Sequence, residues 1–495
     1  MKKIGAIIVL AGLGSAVYAQ TNVPAARSMS LQDCLTEALQ HNFDVRVERF
    51  EPLKSKLSLD AAYAGYDPTF SVSGNHSFNE AGGAFVNGVQ VPPQISDANE
   101  FSAGTLSSLL PSGMTYSLNG NVGETYGSSG GHSIDSTSGN IGVSLDQPLL
   151  KNFWIDSTRL GITAAKNQVK SSEQGLRNQL ITTVSAVENA YFELIYAREN
   201  LEVVQRALNL AQTQLDQDRQ RVEVGSLAPL DVQQDEAQVA QSHANLIAAE
   251  FTLKKDQNAV KTLITDNYAQ WHDVDIAPTA TLEAVRQLFD VQDSWSKGLT
   301  SRPDFLQAKI KLEQQGIQLK FDRNQLFPQL DITGGYGFSG NGKEFSDALG
   351  QYAQGNRPNY NYGGKFSMPL DNLAARSAYK SDKAVEQQDL LALKQLEQGI
   401  MVSIDNAIKQ AQSDWDNVQA TRQQRIYSEA ALDAEQKKYA VGKSTTFTVL
   451  QMQNNLTTAR SQEIRGLANY NEDLTALAQA EGTTLERRKV DVMVK

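Results

Sequence analysis

Two stretches of this chain are too long and too regular to belong to a compact core. From about Asp156 to Arg221 there is no proline, and apolar residues recur three or four apart at Leu180, Val184, Val187, Tyr191, Leu194, Leu201, Leu208 and Leu215. One helix over these ~66 residues would be ~100 Å long at ~1.5 Å per residue. Such an element reads as part of a coiled coil. Gly225 and Pro229 break it, and helical spacing resumes through Val239, Leu246, Ala249, Leu253 and Val260 to about Ile264. A second proline-free run of ~68 residues starts near Asn372 and carries Ile400, Ile404, Ala411, Trp415, Val418 and Leu432. Gly442 breaks it, and a last helix carries Val449, Met452, Leu456, Leu467, Leu474 and Leu477.

Each long helix follows runs with the alternation of strands. Before the first lie 66–78, 112–123 and 140–148, with Phe70 and Val72, then Met114, Tyr116, Leu118 and Val122, then Ile141, Val143 and Leu145. Before the second lie 329–339 and 360–370, with Leu330, Ile332, Tyr336, Phe338, Tyr360, Tyr362 and Phe366. The Gly/Ser/Asn-rich stretches 79–100, 123–139 and 340–359 read as loops. The stretch 101–111 is a further candidate strand. Two strands per half, or four in the first and two in the second, both fit. Helical spacing also covers 30–62, where Ser30 is positioned to cap with Asp33, and more weakly 282–326.

The halves echo each other. Gln147–Pro148–Leu149–Leu150 matches Met368–Pro369–Leu370, and Val224–Gly225–Ser226 matches Val441–Gly442–Lys443. The offsets, 369 − 148 = 221 and 442 − 225 = 217, drift by four residues over a long helix. An internal repeat follows. The expected organisation is a signal peptide (1–19), an N-terminal helical segment (20–65), a strand and loop part (66–148) and a long helical hairpin (149–265). Equatorial helices (266–326), a second strand and loop part (327–371), a second hairpin (372–481) and a polar, loose tail (482–495) complete it. The leader reading rests on Lys2 and Lys3, the apolar stretch from Ile4 to Val17, and Val17–Tyr18–Ala19 ahead of the cut.

Composition narrows the function. The 495 residues carry a net charge of −11, so no basic excess favours nucleic acid. A single cysteine, Cys34, excludes a disulfide framework. His41, His76, His132, His243 and His272 have no second ligand at metal spacing. No phosphate loop or nucleophile elbow is present, so neither catalysis nor a cofactor is expected. Beyond the leader no run reaches the ~18–20 apolar residues of a membrane helix. The alternating runs approach the ~9–11 residues of a tilted membrane strand. In lipid such strands survive only if their edges close, and barrels start at about eight strands. Closure therefore has to be shared between subunits. A secreted or periplasmic coiled-coil structural or adhesive protein without a channel is the alternative.

The chain resembles the TolC-like outer-membrane efflux protein family over nearly its whole mature length. The resemblance rests on Leu31–Gln32–Asp33 with Glu37–Ala38–Leu39 and Asn42, on Asp67–Pro68–Thr69–Phe70 and Phe327–Pro328–Gln329–Leu330, and on Gln147–Pro148–Leu149–Leu150. It rests further on the helix tips Arg221–Val222–Glu223–Val224–Gly225 with Leu230–Asp231–Val232, and Lys438–Tyr439–Ala440–Val441–Gly442 with Thr448–Val449–Leu450. What it implies is a homotrimer. Each subunit would give about four strands to one outer-membrane β-barrel of about twelve, continued by a long periplasmic α-helical coiled-coil barrel. The partners implied are a periplasmic adaptor, an inner-membrane RND, ABC or MFS transporter, and outer-membrane lipid. Arg221, Val224, Gly225, Lys438, Val441 and Gly442 would form adaptor-docking tips, and Pro148 and Pro369 the barrel-to-helix joints. Acidic residues ring the pore near the second tip in relatives, but Thr448 and Gln451 stand at those places here. Asp231 keeps the acid at the first tip, so the entrance candidates are Asp231, Phe447, Thr448 and Gln451.

Overall fold

The computed structural model describes residues 26–129 and 132–490; the expected leader lies outside the described residues. In chain order the first elements are β1 (Ala26–Met29), α1 (Leu31–His41), α2 (Phe43–Glu48) and α3 (Phe50–Tyr63). Six strands follow: β2 (Thr69–Ala81), β3 (Ala84–Val86), β4 (Val89–Val91), β5 (Gln94–Leu109), β6 (Thr115–Ser129) and β7 (His132–Pro148). The first hairpin is α4 (Ser157–Glu223) and α5 (Pro229–Ile264). Then come α6 (Tyr268–Trp271), β8 (Asp275–Pro278), α7 (Val291–Ser301) and α8 (Pro303–Gln325). The second half holds β9 (Gln329–Gly342), α9 (Phe345–Ala353), β10 (Pro358–Ser367), α10 (Leu373–Ala440), α11 (Thr446–Glu481) and α12 (Thr484–Arg487).

The chain forms two compact units. One comprises residues up to 43, 183–287 and 411–475; the other comprises 44–182, 288–410 and 476 onward. The second unit holds a six-stranded sheet in the order β10-β9-β7-β6-β5-β2, antiparallel throughout. Its two faces differ. Leu118 faces Val143, Ile141 faces Phe338, Val143 faces Tyr336 and Phe101 faces Val122 across the ladders. The intervening positions pair Ser117 with Ser144, Asn121 with Asn140, and Asn359 with Gly337. Alternation therefore gives one apolar face and one face of Ser, Asn and Gly, as in a sheet between lipid and water.

Six strands correct the expected four. Among the described residues the first half supplies four strands to this sheet and the second half two, as in one of the two alternatives that the sequence left open. The strands also run well into the stretches read as loops, to Ala81, from Gln94, to Ser129 and from His132. Those extensions lack apolar alternation because they hold together by backbone ladders and polar cross-strand pairs, such as His76 Nδ1 with Asn99 Oδ1 at 2.9 Å. The stretch 340–359 contains α9, which opens with a capping box between Glu344 and Asp347. This helix seats on the apolar face over Gly139 and Gly340, where any Cβ would collide with Tyr352 or the Ala348 carbonyl.

The same unit has a core of Phe305, Ile400, Ile404, Ile408, Leu477 and Ala480. Each large side chain buried there contributes roughly 1.5–3 kcal/mol. Gly298 lets α7 approach α10, since a Cβ there would lie 2.6 Å from Ile404 Cδ1. Helix α7 begins at Val291 rather than 282, because Asp290 caps it by accepting from the amides of Gln292 and Asp293. The stretch after Gly482 is not loose up to residue 490: Thr484 and Leu485 are buried and α12 forms.

In the first unit β1 and β8 pair in parallel, a contact the sequence did not signal. Tyr191, fully buried, donates its hydroxyl to the Met29 carbonyl at 3.0 Å. The expected Ser30–Asp33 capping box starts α1, with Cys34 buried behind it. Val204 packs with Leu246 and Ala249, and Leu432 with Tyr439, Val449 and Leu456. No helix among the described residues is long and apolar enough to cross a membrane.

Candidate channel entrance

The tips are copies of one turn. In the first, Gly225 has φ +72, its amide donates to the Val222 carbonyl at 2.9 Å, and the Ser226 amide donates to the Arg221 carbonyl at 2.9 Å. In the second, Gly442 has φ +73, its amide donates to Tyr439 O at 3.0 Å, and the Lys443 amide to Lys438 O at 2.9 Å. These pairs cap the last carbonyls of each long helix in a Schellman arrangement, which needs a left-handed residue and so favours glycine. Five residues then lead to the next helix in both cases, 224–228 and 441–445.

The candidates sort by exposure. Val224 and Val441 are 79% and 67% exposed, apolar side chains with nothing over them in one chain. Phe447, Gln451 and Lys438 are exposed, while Asp231, Thr448 and Arg221 are half-buried. Asp231 lies in the first turn of α5, where a negative side chain favours the helix N-terminus. Thr448 shares a hydroxyl contact of 2.9 Å with Thr445. Lys438 pairs with Glu435 at 2.9 Å, and the Arg221 guanidinium sits 4.5 Å over the Tyr439 ring. Arg221 therefore braces the two hairpins against each other as well as presenting charge.

Behind the first tip lies a buried acid pair that composition and motifs did not reveal. Asp218 and Asp235 are both fully buried. Gln214 donates to Asp218 Oδ2 at 2.7 Å, and Arg221 Nη1 lies 3.7 Å from Asp218 Oδ1. Neither oxygen of Asp235 meets a donor. Burial, and then the Asp218 carboxylate beside it, push the Asp235 carboxyl up to about 7. Burial beside a second carboxylate thus favours the neutral, protonated form of Asp235. Tyr439, which shares a 2.9 Å hydroxyl contact with Thr446, closes the same cluster, and burial raises its phenol to about 12. The signal was positional: Asp218 lies seven residues after buried Ala211, and Asp235 seven before buried Ser242, so both occupy core stripes.

The joints lie in the other unit. Pro148 is the last residue of β7, and Leu149 still donates to the Leu330 carbonyl at 2.8 Å. Pro369 stands between β10 and α10. A proline at either place has no amide of its own to donate to a ladder. Asn324 ties the first joint, accepting from the Asn152 amide at 2.7 Å and donating to Leu150 O at 3.1 Å, and Asn372 donates to Leu326 O at 3.2 Å at the second. Trp154, at the first joint, is half-exposed and carries Arg159 5.0 Å over its ring. No group of three or more metal-ligating side chains occurs among the described residues.

Comparison with known proteins gives the class. The family described as Outer membrane efflux protein matches residues 34–265 and 295–483. The outer membrane protein TolC of Vibrio cholerae is 24% identical over 373 residues, 71% of this chain and 78% of that one. The outer membrane efflux protein BepC of Brucella suis is 24% identical over 321 residues, 65% and 67% of the two chains. Among solved structures, a membrane protein from Pseudomonas aeruginosa superposes with a TM-score of 0.69 at 18% identity, covering 93% of this chain and 91% of that one. The CmeC outer membrane channel of Campylobacter jejuni gives 0.66 at 16% identity, covering 94% and 90%. The chain belongs to the outer membrane efflux protein family. It is an outer-membrane channel protein of efflux or export systems, with its helical part in the periplasm.

Proposed function

We propose that three copies of this chain form one passive conduit from periplasm to exterior. The sheets close into a shared barrel whose polar face lines a water-filled lumen, and the helical hairpins form the periplasmic tunnel. The tips are the entrance. A periplasmic adaptor docks on Val224, Gly225, Val441 and Gly442, with Arg221 and Lys438 at the rim, and couples the duct to an inner-membrane RND, ABC or MFS transporter. Energy and cargo choice lie with that pump. Asp231, Phe447, Thr448 and Gln451 line the constriction.

The observation that carries this reading is a sheet with one apolar face and two bare edges, attached to two helical hairpins with the same exposed apolar turn. An isolated soluble protein has no use for either. Three Asp231 carboxylates near one axis would concentrate positive potential and hold cations. The test is single-channel recording in planar bilayers of the wild type and of Asp231→Asn. Cation selectivity and divalent block should weaken in the variant. Unchanged selectivity and block remove Asp231 from the entrance. Val224→Asp with Val441→Asp should abolish adaptor pull-down while leaving the detergent-extracted complex at its native mass.

A further inference from the structure

The edges of the sheet say how many strands the closed barrel holds. Strands β2 and β10 are the two outermost, of 13 and 10 residues, and every residue of both is exposed in the single chain. Natural sheets blunt such edges with proline, lysine or a cover. Here β2 has neither proline nor lysine within it, and β10 has only Pro358 at its first position and Lys365 near its end. Both apolar sides continue to the edge: Phe70 and Val72 on β2, and Tyr360, Tyr362 and Phe366 on β10, are more than half exposed. A bare edge beside lipid leaves each outward-pointing N–H and C=O without a partner, at several kcal/mol per group.

The directions match. β2 runs away from the helical joints, because it follows α3 and its start pairs with Ser107 beside the 110–114 turn. β10 runs toward them, because it leads into α10. A copy of β10 laid against β2 is therefore antiparallel to it, continuing the alternation of the whole sheet. Parity fixes the faces as well. Even-numbered residues of β10 and of β2 lie on the apolar side, the bulge opposite Ser71 and Val72 being an extra residue, Gly104, in β5.

We propose that β2 of each subunit pairs with β10 of the next, so that three six-stranded sheets close an eighteen-stranded barrel. The partner at each edge is a second copy of this chain. The copy number three rests on the reading given under Proposed function; the six strands and the β2–β10 seam rest on the sheet. Barrel width grows roughly linearly with strand number, so this barrel is about 1.5 times as wide as one of about twelve strands. Relative to a four-stranded unit of β6, β7, β9 and β10, the additional pair is β2 and β5 at the edge of the sheet, joined to β6 by the turn at Pro111–Ser112–Gly113.

Disulfide scanning in native membranes tests the seam. Cysteines at lumen-facing Ser73 and Asn75 of β2 are combined singly with cysteines at Asn359, Asn361 and Gly363 of β10. The in-register pair Ser73/Ser102 serves as the positive control within one chain. Buried Cys34 stays in place. Oxidation should give covalent dimers and trimers on denaturing gels for at least one β2–β10 combination. Combinations of Asn119 or Asn121 on β6 with the same β10 positions should give none. Cross-links from β6 with a native mass of three chains mean that only four strands per chain enter the barrel, which overturns the seam and leaves the trimer standing. Absence of β2–β10 cross-links in a trimer whose control pair forms overturns it equally. A native mass other than three chains overturns the count of eighteen together with the trimeric reading.

Discussion

The two halves of the molecule agree in their helices and disagree in their sheet. α4 and α10 end at 223 and 440, α5 and α11 begin at 229 and 446 and end at 264 and 481, so one offset (440 − 223 = 217) relates these three boundaries, and the starts of α4 and α10, at 157 and 373, depart from it by one residue. The four-residue drift seen in the sequence lies in the joints: Pro148 stands nine residues before the start of α4 and Pro369 four before the start of α10, and the one residue by which α10 is the longer helix, 68 against 67, brings the difference of five to four. Strand number is freer still, four against two. Helices packed along their length share one register, and an inserted residue in one would rotate its stripe off its neighbours by about 100°. A hairpin added to a sheet disturbs only its two neighbours.

The same offset exposes a chemical difference at the tips. Asp218 corresponds to Glu435, Arg221 to Lys438 and Asp235 to Met452. The first tip buries two acids against each other. In the second, hydrogen bonds from Ser444 and Lys438 hold the Glu435 carboxyl below its usual range. Matched scaffolds thus carry different responses to pH.

Four measurements sharpen or break this comparison. The largest effect is in the shared helix core. Ile404 and Val187 occupy equivalent, fully buried places. Ile404→Ala should cost about 2–5 kcal/mol and Val187→Ala about 1–3 kcal/mol by denaturant titration in detergent. A reversed order would mean that the halves do not pack alike. Next is Asp235→Met, which imports the residue of the second tip. The raised Asp235 carboxyl binds a proton in the folded state that the unfolded chain has lost above pH ~4. Its contribution is therefore complete below that point and disappears as pH rises through about 7. The variant should gain on the order of 1–3 kcal/mol at pH 8 relative to pH 4. A flat difference between the two pH values would deny the raised Asp235 carboxyl.

Third, Gly225→Ala and Gly442→Ala should each cost about 1 kcal/mol, from backbone strain alone. Nothing lies within 4 Å of either added Cβ in the single chain, so the two losses should be equal. A larger loss at one would mean that another chain presses on that tip. Smallest is Glu435→Gln, which should remove a slight stabilisation that is present above the ordinary carboxylate range and lost as pH falls below it, the opposite trend to Asp235, and should leave the profile near pH 7 unchanged. A profile that flattens near pH 7 would transfer the pH response to the second tip.

Much of this was legible because helical periodicity persists over tens of residues and accumulates. Leu180 through Leu215 announced α4, and Gly225 and Gly442 announced its ends and those of α10. The strand extensions were not legible, since Asn79, Ser96, Thr125 and Ser136 have no apolar face to alternate. Nor was α9, whose nine residues sit within a Gly/Asn-rich stretch, although Glu344 and Asp347 mark its start. The joint was half legible: Pro148 and Pro369 were visible, but Asn324, which binds the first joint from a distant helix, was not. Among the candidate entrance residues, Asp231 stood out through the resemblance of Leu230–Asp231–Val232 to the family's tip motif. Asp218 and Asp235 were hidden because an acid inside a helical stripe resembles any surface acid until its neighbours are known.

The constant spacing of the four legs also limits how such a duct can be resized. Spanning a deeper periplasm would require adding the same whole number of heptads to α4, α5, α10 and α11 together. A seven-residue graft in one leg alone would leave the paired turns at different depths, and a partner that grips both at once would find only one.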